Sequence, residues 1–193
     1  MEHRTGPHDE SQYGDRTPAE VRRTLLALTL EFVLAARELV GVHRIALLGS
    51  LTTNKGRPKD ADVLVSIDTT TPMNDLARIG RRFQGRAQGI NSTADVFLVD
   101  LDGRYLGRVC HYRECHPRAG CGARHCGARP HVTDDLDVVS LDHPSILRPP
   151  LVLHPSVIAT VEVPADVAAL LLARLPTRKT TETIRAGIDA PAL

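Results

Sequence analysis

The alternation of apolar and polar residues divides the first 100 positions into five elements. Apolar side chains recur at helical spacing between residues 18 and 40, and again from 73 to about 86. Three short apolar runs, at 45–48, 63–65 and 94–99, have the length and composition typical of strands. The pattern predicts the order helix, strand, strand, helix, strand. We therefore expect an α/β (α+β) fold in which helices cover a small mixed sheet.

Both predicted helices are preceded by the same start signal, a threonine followed by a proline. Thr17-Pro18 stands three residues before Glu20 in a capping-box pattern, with proline at the first helical position. Thr71-Pro72 repeats the threonine and proline before the second helix. These signals predict helix starts near residues 18 and 73.

Changes in composition and periodicity along the chain predict four segments. Residues 1–16 are polar without periodicity and predict a disordered arm. Residues 17–103 contain the five elements, and 104–130 form a Cys/His-rich segment. Residues 131–193 are then a C-terminal extension, in which the Ala/Leu-rich run 165–175 predicts one helix stopped by a proline.

Composition restricts the partners more than it restricts the fold. The 193 residues carry a net charge of +1, so no global field favours nucleic acid or a membrane. No stretch approaches the roughly 20 apolar residues that span a bilayer, and the N-terminus lacks the apolar core of a signal peptide. We therefore expect a cytoplasmic protein with no membrane partner. Aromatic residues make up only 3%, which leaves little surface for stacking single-stranded bases.

The candidate chemistry is concentrated in residues 44–67, where a polar loop joins the first two predicted strands. The second strand begins with Asp60-Ala-Asp62. Because strand side chains alternate, the two carboxylates share one face with Cα atoms roughly 6.6 Å apart, so they can converge on a divalent ion. Val63 and Val65 are predicted to turn the other way, into the core.

A glycine turn and three carboxylates together carry a family resemblance. Gly49-Ser50 ends the first strand, and Asp60-Ala-Asp62 opens the second after a loop of nine residues. This arrangement resembles the signature of the polymerase-β-like nucleotidyltransferase superfamily. A third carboxylate comes from a neighbouring strand in that family, and Asp95 occupies the matching position here. The resemblance covers residues 20–100, about half the chain.

The resemblance implies a minimal nucleotidyltransferase-like domain and an enzyme that moves a nucleoside monophosphate from an NTP to an acceptor. It implies two Mg²⁺ ions at a catalytic site, since two ions held by oxygen ligands can bridge a triphosphate and an attacking hydroxyl. The implied Mg²⁺ ligands are Asp60, Asp62 and Asp95. The implied nucleotide-binding residues are Gly49, Ser50, Lys55, Arg57 and Lys59.

Two further carboxylates compete for the third position. Asp100 lies on the opposite strand face from Asp95, since the two are five residues apart. Asp102 falls beyond the predicted strand end, beside Gly103. Asp95 is therefore the preferred residue.

The cysteines predict a second metal site. All four lie in one segment of 17 residues with the spacing C-x4-C-x5-C-x4-C, and three histidines are interleaved. Such a group predicts a structural Zn²⁺ that replaces a missing apolar core, with disulfides or free thiols as the alternatives. The predicted zinc ligands are Cys110, Cys115, Cys121 and Cys126. Either His116 or His125 could replace one cysteine.

These patterns support two functional hypotheses. The first is an active nucleotidyltransferase, since the carboxylate set is complete. The alternative is a non-catalytic nucleotidyltransferase-like scaffold whose zinc knuckle binds nucleic acid or protein, favoured by a cysteine segment that a minimal transferase does not need. The acceptor, which could be a small molecule, a protein or RNA, is left open, as are the preferred base and the oligomeric state.

Overall fold

The computed structural model describes residues 16–111, 130–133 and 143–176. These residues form a mixed α and β fold built on one open sheet. The helices are α1 (Pro18–Ala36), α2 (Met73–Gln88), α3 (His143–Leu147) and α4 (Ala165–Leu170). The strands are β1 (Val42–Leu48), β2 (Asp60–Ile67), β3 (Thr93–Val99), β4 (Tyr105–Val109), β5 (Val132–Thr133), β6 (Leu151–His154) and β7 (Ile158–Ala159).

The described part of the sheet has seven strands in the order β5-β4-β3-β2-β1-β6-β7. The pair β2 and β3 is parallel, because α2 connects them as a crossover, and the other neighbours are antiparallel. The predicted α/β class with a mixed sheet is confirmed. The sheet is larger than the three predicted strands, because strands from the second half of the chain extend both of its edges.

The first helix begins as predicted and ends earlier. Thr17 accepts a hydrogen bond from the backbone N–H of Glu20, whose carboxylate accepts one from the backbone N–H of Thr17. The helix stops at Ala36 instead of near residue 40. Leu39 extended the apolar period, yet it packs against the core from the turn that follows the helix.

The second helix begins at Met73, as predicted, and ends slightly later than predicted. Its N-cap is Pro72, with no side-chain capping bond, so Thr71 does not act as the predicted cap. The last helical residue is Gln88, two positions beyond the predicted end, and Gly89 follows as the C-cap.

Each face of the sheet carries its own apolar cluster. The larger cluster lies between the sheet and helices α1, α2 and α4, and contains Val63 and Val65 as predicted. The smaller cluster lies on the opposite face, where Ile146 of α3 packs against Leu64 and Phe97. Because side chains alternate along β2 and β3, the face bearing Leu64 and Phe97 also bears the predicted catalytic carboxylates.

The C-terminal part of the chain belongs to the same sheet and core. Strand β6 pairs with β1 along its length, and β4 pairs with β3. Val167, Leu171 and Leu175 are buried in the larger cluster beside α1. The described portions of the predicted Cys/His-rich segment and C-terminal extension therefore complete the core that the first 100 residues begin. The predicted arm up to residue 15 and the chain end after residue 176 lie outside the described residues.

No helix in the described ranges is long and apolar enough to cross a membrane.

Candidate active site

The three predicted carboxylates lie on two adjacent strands and face the same side of the sheet. Asp60 is the first residue of β2, and Asp62 pairs in parallel register with Asp95 of β3. Adjacent strands lie about 4.8 Å apart, so this register places the two paired carboxylates side by side. Each carboxylate is half-buried. The structure therefore brings Asp60, Asp62 and Asp95 into one neighbourhood, although they are separated by up to 35 positions in the sequence.

The glycine turn adjoins this neighbourhood through direct contacts. After β1 the chain enters a short 3₁₀ helix, Gly49–Thr52, and Gly49 takes a φ of +68°. A Cβ at Gly49 would lie 2.5 Å from Oδ2 of Asp62, so the glycine leaves room for that carboxylate in its present position. The Ser50 hydroxyl donates a 3.1 Å hydrogen bond to Oδ1 of Asp60. Gly49 and Ser50 thus lie against the carboxylates. The family resemblance implied only that these two residues bind the nucleotide.

Repulsion and burial together perturb one carboxyl group of the cluster. Burial, together with the nearby charges of Asp60 and Asp95, raises the pKa of Asp62 to about 7. An acid with this pKa is half protonated near neutral pH, because ionising it would add a third negative charge to a partly dehydrated site. A strongly shifted carboxyl group beside two others is the electrostatic pattern expected where a cation or a substrate supplies the missing positive charge.

Two residues that the sequence prediction did not assign to this site contact Asp95. His111 Nε2 lies 3.0 Å from Oδ1 of Asp95, and Arg108 Nη1 lies 3.7 Å from the same oxygen. Arg108 belongs to β4, where it pairs with Phe97 and so shares its sheet face. The short run of strand-favouring residues Tyr105, Leu106 and Val109 was the available signal for this strand. It was missed because its position after the first strands suggested a new segment.

The predicted phosphate-binding cations lie in the loop between the 3₁₀ helix and β2. Lys55, Arg57 and Lys59 are all exposed, and none of them forms an ion pair with another described residue. The 3₁₀ helix before this loop starts at Gly49, which adjoins Asp62, and the loop leads into Asp60, so both ends of the connection lie at the carboxylates. Its charges are therefore available to an anion that approaches the site from this side.

The competing carboxylates have a different use. Oδ1 of Asp100 accepts backbone hydrogen bonds from Asp102 and Arg104, which closes the turn between β3 and β4. Asp102 is exposed in that turn. The preference for Asp95 therefore agrees with the geometry.

Of the predicted zinc ligands, only Cys110 lies within the described residues. It follows β4, is fully buried, and its Sγ lies 3.0 Å from Oγ1 of Thr133. The other candidate ligands, Cys115, Cys121, Cys126, His116 and His125, lie outside the described residues. The zinc site stays a prediction.

The carboxylates fit Mg²⁺ by donor type and by electrostatics. Their oxygens are the ligands that this ion prefers, and a divalent cation would relieve the repulsion that raises the pKa of Asp62. No three His, Cys, Asp or Glu side chains within the described ranges are gathered as a ready-made metal cage. Mg²⁺ commonly binds through one or two carboxylates together with waters and substrate phosphates, so it does not need such a cage.

Comparison of the chain with known protein families, with characterised proteins and with solved structures finds no match.

Proposed function

We propose that this protein is a nucleotidyltransferase with a polymerase-β-like catalytic domain, which transfers a nucleoside monophosphate from an NTP to an acceptor hydroxyl or phosphate. One observation carries the proposal: Asp62 and Asp95 pair in register on adjacent strands, directly beside the turn at Gly49 and Ser50. A strand slip of one residue would turn one of the two carboxylates to the opposite face. The pairing therefore favours a shared role for the two side chains.

The reaction is an in-line displacement. The acceptor oxygen forms a bond to the α-phosphorus, the bond from that phosphorus to the β-phosphate bridging oxygen breaks, and pyrophosphate leaves. The proton of an acceptor hydroxyl passes to a carboxylate, and Asp95 is the candidate because it lies farthest along the sheet from the phosphate-binding turn. Bound Mg²⁺ supplies charge neutralisation on the triphosphate and on the attacking oxygen.

Different residues act on the two sides of the carboxylate cluster. On the β1 side, the glycine turn and the loop cations Lys55, Arg57 and Lys59 meet the triphosphate. On the β4 side, Arg108 and His111 hold the Asp95 carboxylate in position. Asp60 and Asp62, between the two sides, would hold the metal ions.

A thermal-shift series tests nucleotide binding first. Each of the four common NTPs is added with and without Mg²⁺, and a ligand bound only by the folded state raises Tm, with a stabilisation of about 2.7 kcal/mol at 100 times Kd. A transfer assay with α-labelled NTP and whole-cell extract then reports activity and acceptor class together. Failure of every NTP to raise Tm, together with no transfer of label, would contradict the proposal.

A second candidate function, the non-catalytic scaffold, is favoured by the contacts of Asp95. A carboxylate already held by Arg108 and His111 is partly neutralised, and such pairing also occurs in purely structural ion networks. In this case the protein would bind nucleic acid or a protein through the predicted zinc knuckle, and Mg²⁺ with NTP would leave Tm unchanged. The thermal-shift series separates the two candidates.

A further inference from the structure

A buried arginine joins three distant parts of the chain at the base of the candidate phosphate-binding loop. Arg22 lies in the first turns of α1 and is only 7% exposed. Its Nε and Nη2 donate to the two carboxylate oxygens of Asp166 in α4, at 2.5 and 3.1 Å. Its guanidinium also donates to the backbone carbonyls of Leu51 and Lys55, at 3.2 and 3.3 Å. One side chain thus connects an N-terminal helix, a central loop and a C-terminal helix.

The two carbonyls belong to a segment that is also bonded within itself. The Thr52 hydroxyl donates to the carbonyl of Gly49, and the Thr53 hydroxyl donates to the carbonyl of Ser50 while accepting from the backbone N–H of Lys55. Residues 49–55 are therefore linked to one another by hydrogen bonds within the segment. Gly49 at one end contacts Asp62, and Lys55 at the other end is fixed by Arg22.

The ion pair with Asp166 orients the arginine toward the loop. Both guanidinium edges are needed, because the carboxylate takes Nε and Nη2 while the carbonyls take Nη2 and Nη1. Hydrogen bonds from Arg22 hold the pKa of Asp166 below its usual range. A lysine would keep the charge, yet it cannot present the planar fork that satisfies a carboxylate and two carbonyls together.

We propose that Arg22, oriented by Asp166, is a positioning residue that holds segment 49–55 in place for triphosphate binding. The inference rests on the proposed function, because it assigns phosphate binding to this loop. It gives helix α4 a role in the site through the bonds of Asp166 to Arg22. Loss of the arginine fork should loosen the loop and weaken phosphate binding without removing any group that touches phosphate.

Trypsin cleavage of the native full-length protein reports how readily the loop opens, and the assay does not depend on transferase activity. The bond after Lys55 is cleavable, since Gly56 follows it. The variant Arg22→Lys keeps the same number of trypsin sites. We expect cleavage at Lys55 to be about tenfold faster or more, because losing hydrogen bonds from a charged donor shifts a local opening equilibrium by that order. Asp166→Asn keeps the arginine and should show a smaller increase. Mass spectrometry of the fragments identifies the cut.

The matched control is Phe83→Leu. Phe83 packs against Phe32 near the far end of α1, with ring centroids 5.2 Å apart. The substitution Phe83→Leu should therefore destabilise the core at a site away from the loop. Rates are compared at denaturant concentrations that give both variants equal global stability. Equal cleavage at Lys55 in Arg22→Lys and Phe83→Leu would overturn the inference, since Arg22 would then act only through overall stability.

Binding of Mg²⁺ with tripolyphosphate, measured by calorimetry, tests the functional half independently of the base. We expect Kd to rise about tenfold in Arg22→Lys and to stay unchanged in Phe83→Leu. Faster cleavage with an unchanged Kd would overturn the binding role of Arg22. If the wild-type protein binds neither tripolyphosphate nor any NTP, the proposed function itself is wrong, and the cleavage rates still show whether Arg22 holds the loop.

Discussion

Replacing Asp62 by asparagine should make the protein more stable and less active at the same time. Burial and two neighbouring carboxylates raise the pKa of Asp62 to about 7, against about 3.9 for an aspartate in an unfolded chain. The folded state therefore disfavours the ionised form. Asparagine has nearly the same shape and carries no charge, so Asp62→Asn removes the repulsion and preserves the packing.

The sign and size follow from proton linkage. Because the folded pKa is raised, the folded state holds its proton more tightly, and wild-type stability falls as pH rises from about 3.9 to about 7. Above pH 7 the full difference is lost, which amounts to about 4 kcal/mol as an upper limit at 1.36 kcal/mol per pKa unit. At pH 5 only about a third of it is lost. The gain from Asp62→Asn should therefore be larger at pH 8.5 than at pH 5.

Urea unfolding of both proteins at these two pH values, without divalent ions, measures the gain. Asp102→Asn is the control, since Asp102 is an exposed carboxylate in the turn between β3 and β4, and it should change stability little at either pH. Added Mg²⁺ should raise the stability of the wild type more than that of Asp62→Asn. Transfer activity should fall at least about a hundredfold in Asp62→Asn and stay near wild type in Asp102→Asn. A variant that is less stable than wild type at pH 8.5 would refute the electrostatic argument, and retained turnover would refute the metal assignment.

Three other predictions use separate features of the molecule. Gly49→Ala should destabilise the protein by about 1–3 kcal/mol and abolish Mg²⁺-dependent nucleotide binding, because alanine is strained at this left-handed φ and its methyl group would lie against Asp62. Urea unfolding and calorimetry measure the two effects, and a stability equal to wild type would contradict the prediction. Hydrogen bonds from the Thr70 hydroxyl and from His43 lower the pKa of Asp68 to about 2. The ionised carboxylate therefore stabilises the fold at pH 6, and this stabilisation fades as pH falls through about 3.9 toward about 2. Asp68→Asn should be less stable than wild type at pH 6, and the unfolding curves of the two proteins should converge near pH 2. Purified protein should contain one zinc per chain, and a chelator should remove it without weakening Mg²⁺-dependent nucleotide binding. Elemental analysis that finds no zinc, together with four reactive thiols in the native protein, would contradict the zinc prediction.

Local patterns were sufficient for the five elements of the first 100 residues and for the side of their strands that is buried. The capping box at Thr17 and the apolar period placed the start of α1, and alternation placed Val63 and Val65 in the core. Alternation also placed Asp60 and Asp62 on one face. These properties depend on neighbours within a few residues, where backbone geometry alone decides which way a side chain points.

Strand order, register and long-range pairing were decided only by the tertiary structure. The parallel register that sets Asp62 beside Asp95 depends on the crossover through α2, which joins β2 to β3. Strand β4 brings Arg108 to the same carboxylate. The bond between Arg22 and Asp166 spans 144 positions. No local period encodes such contacts, because they arise when separate apolar faces share one core and carry their polar neighbours with them.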